Sequence, residues 1–238
     1  MKFNLFSILI GSIFFTGCYT PPEFPIEPSI VFEEVIFKDI ENFPDSLIVT
    51  IQFQDGDGDL GLSANETNPP YNPVWYYYKN SNEELITYYD KFHTPGFDTL
   101  PPYEFPYTCQ NWVLNSDVKD GTYVDDTVYY QSNADHFNIF VRFFVRKNGV
   151  YTEFDWETAF DPQCSDSYNG RFPLLSDLSK SPLEGKLRYG MTSAGFNFLF
   201  RNDTLKLELH IKDRALHTSN IVESPDFTLK SITVDDDQ

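Results

Sequence analysis

Three stretches of this 238-residue chain alternate apolar and polar side chains with a period of two, and this alternation limits the fold more than any other feature. Successive side chains of an extended strand point to opposite faces, so each stretch predicts a strand with one buried face. The alternation is cleanest at 205–211, where charged residues and a histidine separate the apolar positions. The apolar positions are Leu47, Val49, Ile51, Phe53, Ile139, Val141, Phe143, Val145, Leu205, Leu207, Leu209 and Ile211.

Shorter strands are predicted around these three, and no window has the 3.6-residue period of a helix of ordinary length. Asn148-Gly149 is typical of a two-residue hairpin turn, and the 23 Phe and 15 Tyr favour strands. Together these features predict an all-β fold, an antiparallel immunoglobulin-like β-sandwich with a large inserted hairpin region at about 64–185. The shorter predicted strands cover residues 30–38, 74–79, 84–91, 122–131, 150–156, 185–189, 196–200, 221–229 and 227–234.

The amino terminus predicts export. Met1-Lys2 precedes an apolar run at 5–15, which is too short to span a bilayer but suits a signal peptide. The run ends in Phe-Thr-Gly-Cys, which resembles a bacterial lipobox; the resemblance implies that Cys18 is acylated and anchors the chain in the lipid bilayer of the outer membrane, on either face. The alternative is an ordinary secretory signal that contains a cysteine. The predicted segments are a signal peptide at 1–17, a lipidated proline-rich tether at 18–28 and an elaborated β-sandwich at 29–238.

The two remaining cysteines predict a disulfide. Cys109 and Cys164 form an even pair, and such pairs usually oxidise in an exported protein. Neither has a second cysteine or a histidine at metal-ligand spacing. The alternative is two unbridged buried thiols.

Three aspartates alternate with two glycines directly after the strand at 47–54. The glycines of this DGDGDLG segment match a dinucleotide-binding spacing, but its carboxylates would repel a pyrophosphate and no helix follows. Alternating carboxylates are instead ligands for a hard cation, so Asp55, Asp57 and Asp59 predict a calcium site. Glu66 falls where an EF-hand loop has its last ligand, yet Leu60 replaces the glycine of such a loop, which weakens this assignment. The alternative is an aspartate-rich surface turn.

A fourth ligand is predicted from the far end of the chain. The strand at 204–212, the polar turn that begins at Asp213 and the segment after it resemble the last two strands of bacterial immunoglobulin-like or fibronectin type III-like modules. If 47–54 and 204–212 are strands B and F of such a sandwich, the loops that follow them emerge at the same end. Asp213 would then join the three aspartates at one calcium site. The alternative is that Asp213 caps its own turn.

Taken together, these motifs resemble those of uncharacterised Bacteroidetes lipoproteins with an immunoglobulin-like fold. The resemblance covers nearly the whole chain after Cys18 and implies location and fold, but that family brings no established activity. It is carried by the lipobox, DGDGDLGL at 55–62, YNGRFP at 168–173, PLEG at 182–185 and DTLKLELHIKDRALHTSN at 203–220.

Composition limits the function. The chain has 17 Lys and Arg against 36 Asp and Glu, a net charge of -19, which argues against nucleic acid as a partner. The leading hypothesis is a noncatalytic binding or assembly module, stabilised by calcium, with a protein or glycan ligand at the loop end of the sandwich. A rival hypothesis is a surface glycan hydrolase that uses Asp155 and Glu157 as paired carboxylates. A passive structural component of the envelope is a third.

Overall fold

The computed structural model describes residues 22–40, 44–76, 84–100, 112–114, 127–156, 159, 167–175, 181–193 and 195–234. Within these ranges the chain forms ten strands and two short helices. The strands are β1 (Ser29–Lys38), β2 (Asp45–Asp55), β3 (Val74–Tyr76), β4 (Trp112–Leu114), β5 (Thr127–Ser132), β6 (Ile139–Lys147), β7 (Val150–Phe154), β8 (Leu183–Ser193), β9 (Thr204–Ile211) and β10 (Val222–Glu223), and the helices are α1 (Tyr88–His93) and α2 (Phe196–Phe200).

Two antiparallel sheets form the sandwich, which confirms the predicted fold class. The first sheet has the strand order β1-β2-β8, and the second has the order β10-β9-β6-β7. Every apolar residue of the three predicted stripes is buried, and all of them belong to one hydrophobic core between the two sheets. In the lettering of immunoglobulin-like sandwiches, the second sheet follows the order G-F-C-C′, and β2 and β9 are strands B and F.

A third, small sheet lies in the connection between β2 and β6, with the order β3-β5-β4. Helix α1 belongs to the same connection and packs on β5. The insertion was expected to extend over 64–185, but β6 and β7 fall within that range and belong to the second sheet. Strand β6 belongs to the second sheet because it pairs with β9 on one side and with β7 on the other. Its apolar stripe from Ile139 to Val145 is therefore buried in the main core.

One predicted strand, 84–91, is wrong in its second half, and another, 196–200, is wrong throughout, because these residues form helices. Thr87 does make an antiparallel bridge to Val128 of β5. The segment 84–91 contains the start of α1, where the Asp90 carboxylate accepts a hydrogen bond from the Thr87 backbone N–H over 2.9 Å and so caps the first turn. The segment 196–200 is α2. Its phenylalanines recur at every second position, which the strand prediction placed on one face, but Phe196 and Phe200 are buried and Phe198 between them is 90% exposed. Four-residue spacing brings the two buried rings to one helix face.

The last predicted strands, at 221–229 and 227–234, are also largely wrong. Only Val222–Glu223 pairs with β9 as a strand, and Phe227 makes an isolated bridge to Leu205. Between these two contacts the Leu207 backbone N–H donates to the side-chain hydroxyl of Ser224 over 2.9 Å and not to a main-chain carbonyl, which interrupts the ladder. A short 3-10 helix, Leu229–Ser231, follows and is capped by Thr228.

Several predictions concern residues outside the described ranges. The signal peptide at 1–17, the lipidated Cys18, the Cys109–Cys164 disulfide and the carboxylate of Glu157 all lie there, so they stay predictions. Within the described part of the chain, neither helix has the length and apolar character that crossing a bilayer requires.

The contrast within α2 generates a stability prediction. Phe196→Ala removes a fully buried ring that packs on Phe37, Phe143 and Trp156, so we expect a loss of about 3–5 kcal/mol in the free energy of unfolding. Phe198→Ala is the matched control on the same helix and should change stability by about 0.5 kcal/mol or less. Urea denaturation of both variants checks this. Equal losses would mean that the segment is a strand with three equivalent rings.

Candidate metal centre

The loops that follow β2 and β9 meet at one end of the sandwich. Strand β2 belongs to the first sheet and ends at Asp55, whereas β9 belongs to the second sheet and ends at Ile211, two residues before Asp213. One carboxylate oxygen from each of four aspartates lies within 4.8 Å of the others. The structure therefore brings together all four residues that were predicted to share a site. We call this group the acidic cluster, and its members are Asp55, Asp57, Asp59 and Asp213.

Some of the carboxylate oxygens in the acidic cluster hold the loops in shape. The backbone N–H of Asp59 donates to Asp55 Oδ2 over 2.9 Å, and the backbone N–H of Arg214 donates to Asp59 Oδ1 over 3.3 Å. His217 contacts both oxygens of Asp213, through its backbone N–H at 2.8 Å and its ring Nδ1 at 2.7 Å. Asp213 thus does cap its own turn, as the alternative expected, while it also faces the other three aspartates.

Two buried oxygens of the acidic cluster have no hydrogen-bond donor among the described residues. They are Oδ1 of Asp55 and Oδ1 of Asp57. Asp55 is completely buried, and Asp213 beside it is 1% exposed. A buried carboxylate oxygen without a donor is costly, so a cation, a proton or a water molecule would stabilise these two atoms.

The carboxylates of the acidic cluster repel one another, and burial together with this repulsion raises the pKa of Asp55, Asp59 and Asp213. Two full charges 4.8 Å apart repel by about 3.5 kcal/mol at an effective dielectric constant of about 20. Burial, together with the charge of Asp57, raises the pKa of Asp55 to about 6. Burial also raises the pKa of Asp59, and repulsion by Asp213 adds to this rise. Burial raises the pKa of Asp213 as well, and repulsion by Asp57 adds to it. In the absence of a cation, protons are therefore drawn to the cluster.

The charge of Arg214 offsets part of the rise that burial causes in the pKa of Asp59, but the hydrogen bonds of the Arg214 guanidinium go to another residue. Both terminal nitrogens of Arg214 donate to the Glu66 carboxylate, one of them over 2.7 Å, and the Glu66 pKa is lowered by this pair. Glu66 is thus an ion-pair partner and not a member of the acidic cluster. The Arg214 main-chain carbonyl accepts a hydrogen bond from the Tyr71 hydroxyl, which ties the connection after β2 to the turn after β9.

The glycines and the leucine of the DGDGDLG segment have structural roles that explain its spacing. Gly58 and Gly61 have φ angles of +68° and +102°, a region that residues with side chains rarely adopt. A Cβ atom on Gly58 would lie 2.1 Å from the carbonyl oxygen of Ser181. Leu60, which departs from the EF-hand pattern, is fully buried in the main core. The loop therefore turns its leucine inward while its aspartates gather at the end of the sandwich.

The sequence alone did not identify His217 and Arg214 as residues of this site. The contacts of His217 with Asp213 span only four positions, and a histidine four residues after an aspartate in a predicted turn is a signal that could have been used. The pair formed by Arg214 and Glu66 spans 148 positions, and no local pattern announces it.

Asp155, the described carboxylate of the hydrolase hypothesis, lies in a different part of the molecule. Asp155 is exposed at the end of β7 and borders a cavity of about 370 Å³ that Glu153 and Asn169 also line. Arg142 binds both oxygens of Glu153 and holds the pKa of that carboxyl below its ordinary value. A general acid needs a raised pKa, so Glu153 is not suited to the general-acid role in a catalytic pair.

The raised pKa of Asp55 generates a pH prediction for the metal-free protein. Its value is about 6 in the folded chain and about 3.8 in the unfolded one, so the folded state binds the proton more tightly. The stabilisation that protonation provides is complete below about pH 3.8 and is lost as the pH rises towards about 6. In chelator, the melting temperature of Asp55→Asn should therefore exceed that of wild type at about pH 7, and the difference should shrink at about pH 5.

Thermal melts of Asp55→Asn, wild type and an exposed control, Asp226→Asn, at both pH values measure this difference. The control should follow the wild-type pH dependence. A lower melting temperature for Asp55→Asn than for wild type at about pH 7 in chelator would contradict the prediction.

In comparisons with known proteins, no protein-family model, no curated protein and no solved structure matches the chain.

Proposed function

We propose that this chain is an exported, noncatalytic β-sandwich module that binds calcium at the acidic cluster and is held to a membrane through acylated Cys18. The observation that carries the calcium assignment is Oδ1 of Asp55, a carboxylate oxygen that is fully buried, lacks a hydrogen-bond donor among the described residues and lies among three further carboxylates. A bound cation would coordinate this oxygen and would also offset the repulsion among the four carboxylates.

Calcium suits the donor set better than other common metal ions do. All four side chains offer carboxylate oxygens, and hard cations take such ligands, whereas zinc and copper favour sites with nitrogen or sulfur. Calcium accepts six to eight oxygens in a flexible arrangement, so main-chain carbonyls and water could complete a shell that four aspartates begin. Magnesium demands a stricter octahedron and retains its water more strongly.

A cation at this place would join the two sheets of the sandwich. Asp55 is the last residue of β2 in the first sheet, and Asp213 follows β9 in the second. Binding to the folded state alone stabilises it, by about 2.7 kcal/mol at a calcium concentration one hundred times the dissociation constant. The proposed role of calcium is therefore to hold the loop end of the sandwich in one arrangement, against which a protein or glycan partner would dock.

A calcium titration tests the proposal. Calorimetry on the chain from residue 19, which retains every described residue, should show saturable binding and a melting temperature that rises with calcium. The double variant Asp57→Ala, Asp59→Ala should lose both effects, because it removes two of the four carboxylates. A second double variant, Asp98→Ala, Asp226→Ala, removes the same charge from exposed positions outside the cluster and should bind as wild type does.

Binding that persists in the cluster variant would show that calcium binds elsewhere on this acidic protein. Absence of binding in wild type would leave the DGDGD segment as a turn.

The other two hypotheses make different predictions. A hydrolase using Asp155 and Glu157 should cleave glycans and lose this activity in Asp155→Asn, whereas the proposed module has no activity to lose. A passive envelope component should retain no partner with or without calcium. A partner bound in calcium and released by chelator would support the binding module.

A further inference from the structure

The segment that precedes β1 lies directly on the DGDGD loop. A Cβ atom built on Gly56 would lie 2.4 Å from the carbonyl oxygen of Phe24 and 2.5 Å from that of Pro25. Gly56 is the residue between Asp55 and Asp57 of the acidic cluster. The main chain of the segment therefore contacts the loop at a point where only a hydrogen atom fits.

The start of β1, which follows this segment, is bound to the second loop of the site. The Ile30 backbone N–H donates to Asn220 Oδ1 over 2.8 Å, and the Asn220 amide donates back to the Ile30 carbonyl over 2.9 Å. Asn220 belongs to the stretch between β9 and β10 that begins at Asp213. The pKa of His217 is raised mainly by Asp213, and the charge of Glu27 adds to this rise. The entry to β1 is thus held by contacts to both loops of the acidic cluster.

We propose that residues 24–27 form a third wall of the cation site and that their docking is coupled to cation binding. This inference rests on the proposed function. Repulsion among the aspartates pushes the DGDGD loop apart, and Gly56 moves with the two aspartates that flank it. A bound cation draws these carboxylates together and keeps Gly56 against the carbonyl oxygens of Phe24 and Pro25. Calcium therefore also determines where the amino-terminal segment leaves the sandwich.

Coupling of this kind is reciprocal. If calcium strengthens docking of the segment, displacement of the segment must weaken calcium binding by the same factor. Gly56→Ala is suited to displace it, because the added methyl group meets the two carbonyl oxygens and removes no carboxylate. Gly190→Ala is the matched control, because a Cβ atom at this position in β8 has nothing within 4 Å.

Hydrogen exchange of the chain from residue 19, with calcium and with chelator, tests the coupling. Calcium should slow exchange of the backbone amides of residues 23, 24, 26, 27 and 29 in wild type and in Gly190→Ala; residues 25 and 28 are prolines and have no amide hydrogen. It should have no such effect in Gly56→Ala, whose calcium affinity should fall by about tenfold or more. Calcium should leave these amides unchanged in Asp57→Ala, Asp59→Ala.

The outcomes separate this inference from the proposed function. If wild type binds calcium but exchange at residues 23–29 does not change, or if Gly56→Ala binds calcium with wild-type affinity, the coupling is overturned and the cation site stands. If wild type binds no calcium, both are overturned. Because the wild-type comparison alone shows whether calcium reaches the segment, the inference remains falsifiable even if Gly56→Ala fails to fold.

Discussion

The packing of β2 in the first sheet against β6 and β9 in the second is the interaction on which the rest of this structure depends. These strands carry the alternating apolar side chains, and nearly all of them are fully buried in one core. Because alternate residues must face that core, the register of each strand is set by its own sequence. The same packing brings the ends of β2 and β9 to one end of the sandwich, so the polar residues that follow them gather there.

The acidic cluster is a consequence of that geometry, and its buried, mutually repelling carboxylates are electrostatically unfavourable. Asp55 and Asp213 are removed from water, and like charges lie close to them. Hydrogen bonds from Asp59 and His217 satisfy some of their oxygens, while Arg214 is paired with Glu66. A cation would satisfy the remaining oxygens, which is why the proposed function rests on this end of the molecule and not on the cavity beside Asp155.

The places where sequence reasoning failed share a physical cause. A period of two was interpreted as a strand at 196–200, where a helix instead puts the middle phenylalanine into solvent. In both kinds of structure at least two rings reach the core, so an apolar pattern of five residues does not distinguish them. The end of the chain was also assigned too much strand, because the pattern does not show that the Ser224 hydroxyl takes the place of a main-chain carbonyl in the ladder. The extent of the insertion depended on which strands pair across long separations, which local pattern does not contain.

The sequence by itself determined strands β2, β6 and β9, the sandwich class and the three aspartates of the DGDGD segment, because alternation and charge spacing are local properties that folding must respect. That Asp213 joins these aspartates was expected from the resemblance of the chain's end to immunoglobulin-like modules. Only the tertiary structure decided that Glu66 pairs with Arg214, that His217 holds Asp213, and that the segment at 24–27 lies on Gly56. The pair of Glu66 with Arg214 and the contact at Gly56 join segments far apart in the chain, and the His217 contact needs the turn after β9 to close. Their partners are therefore chosen by the packing of the two sheets and by the loops that this packing brings together.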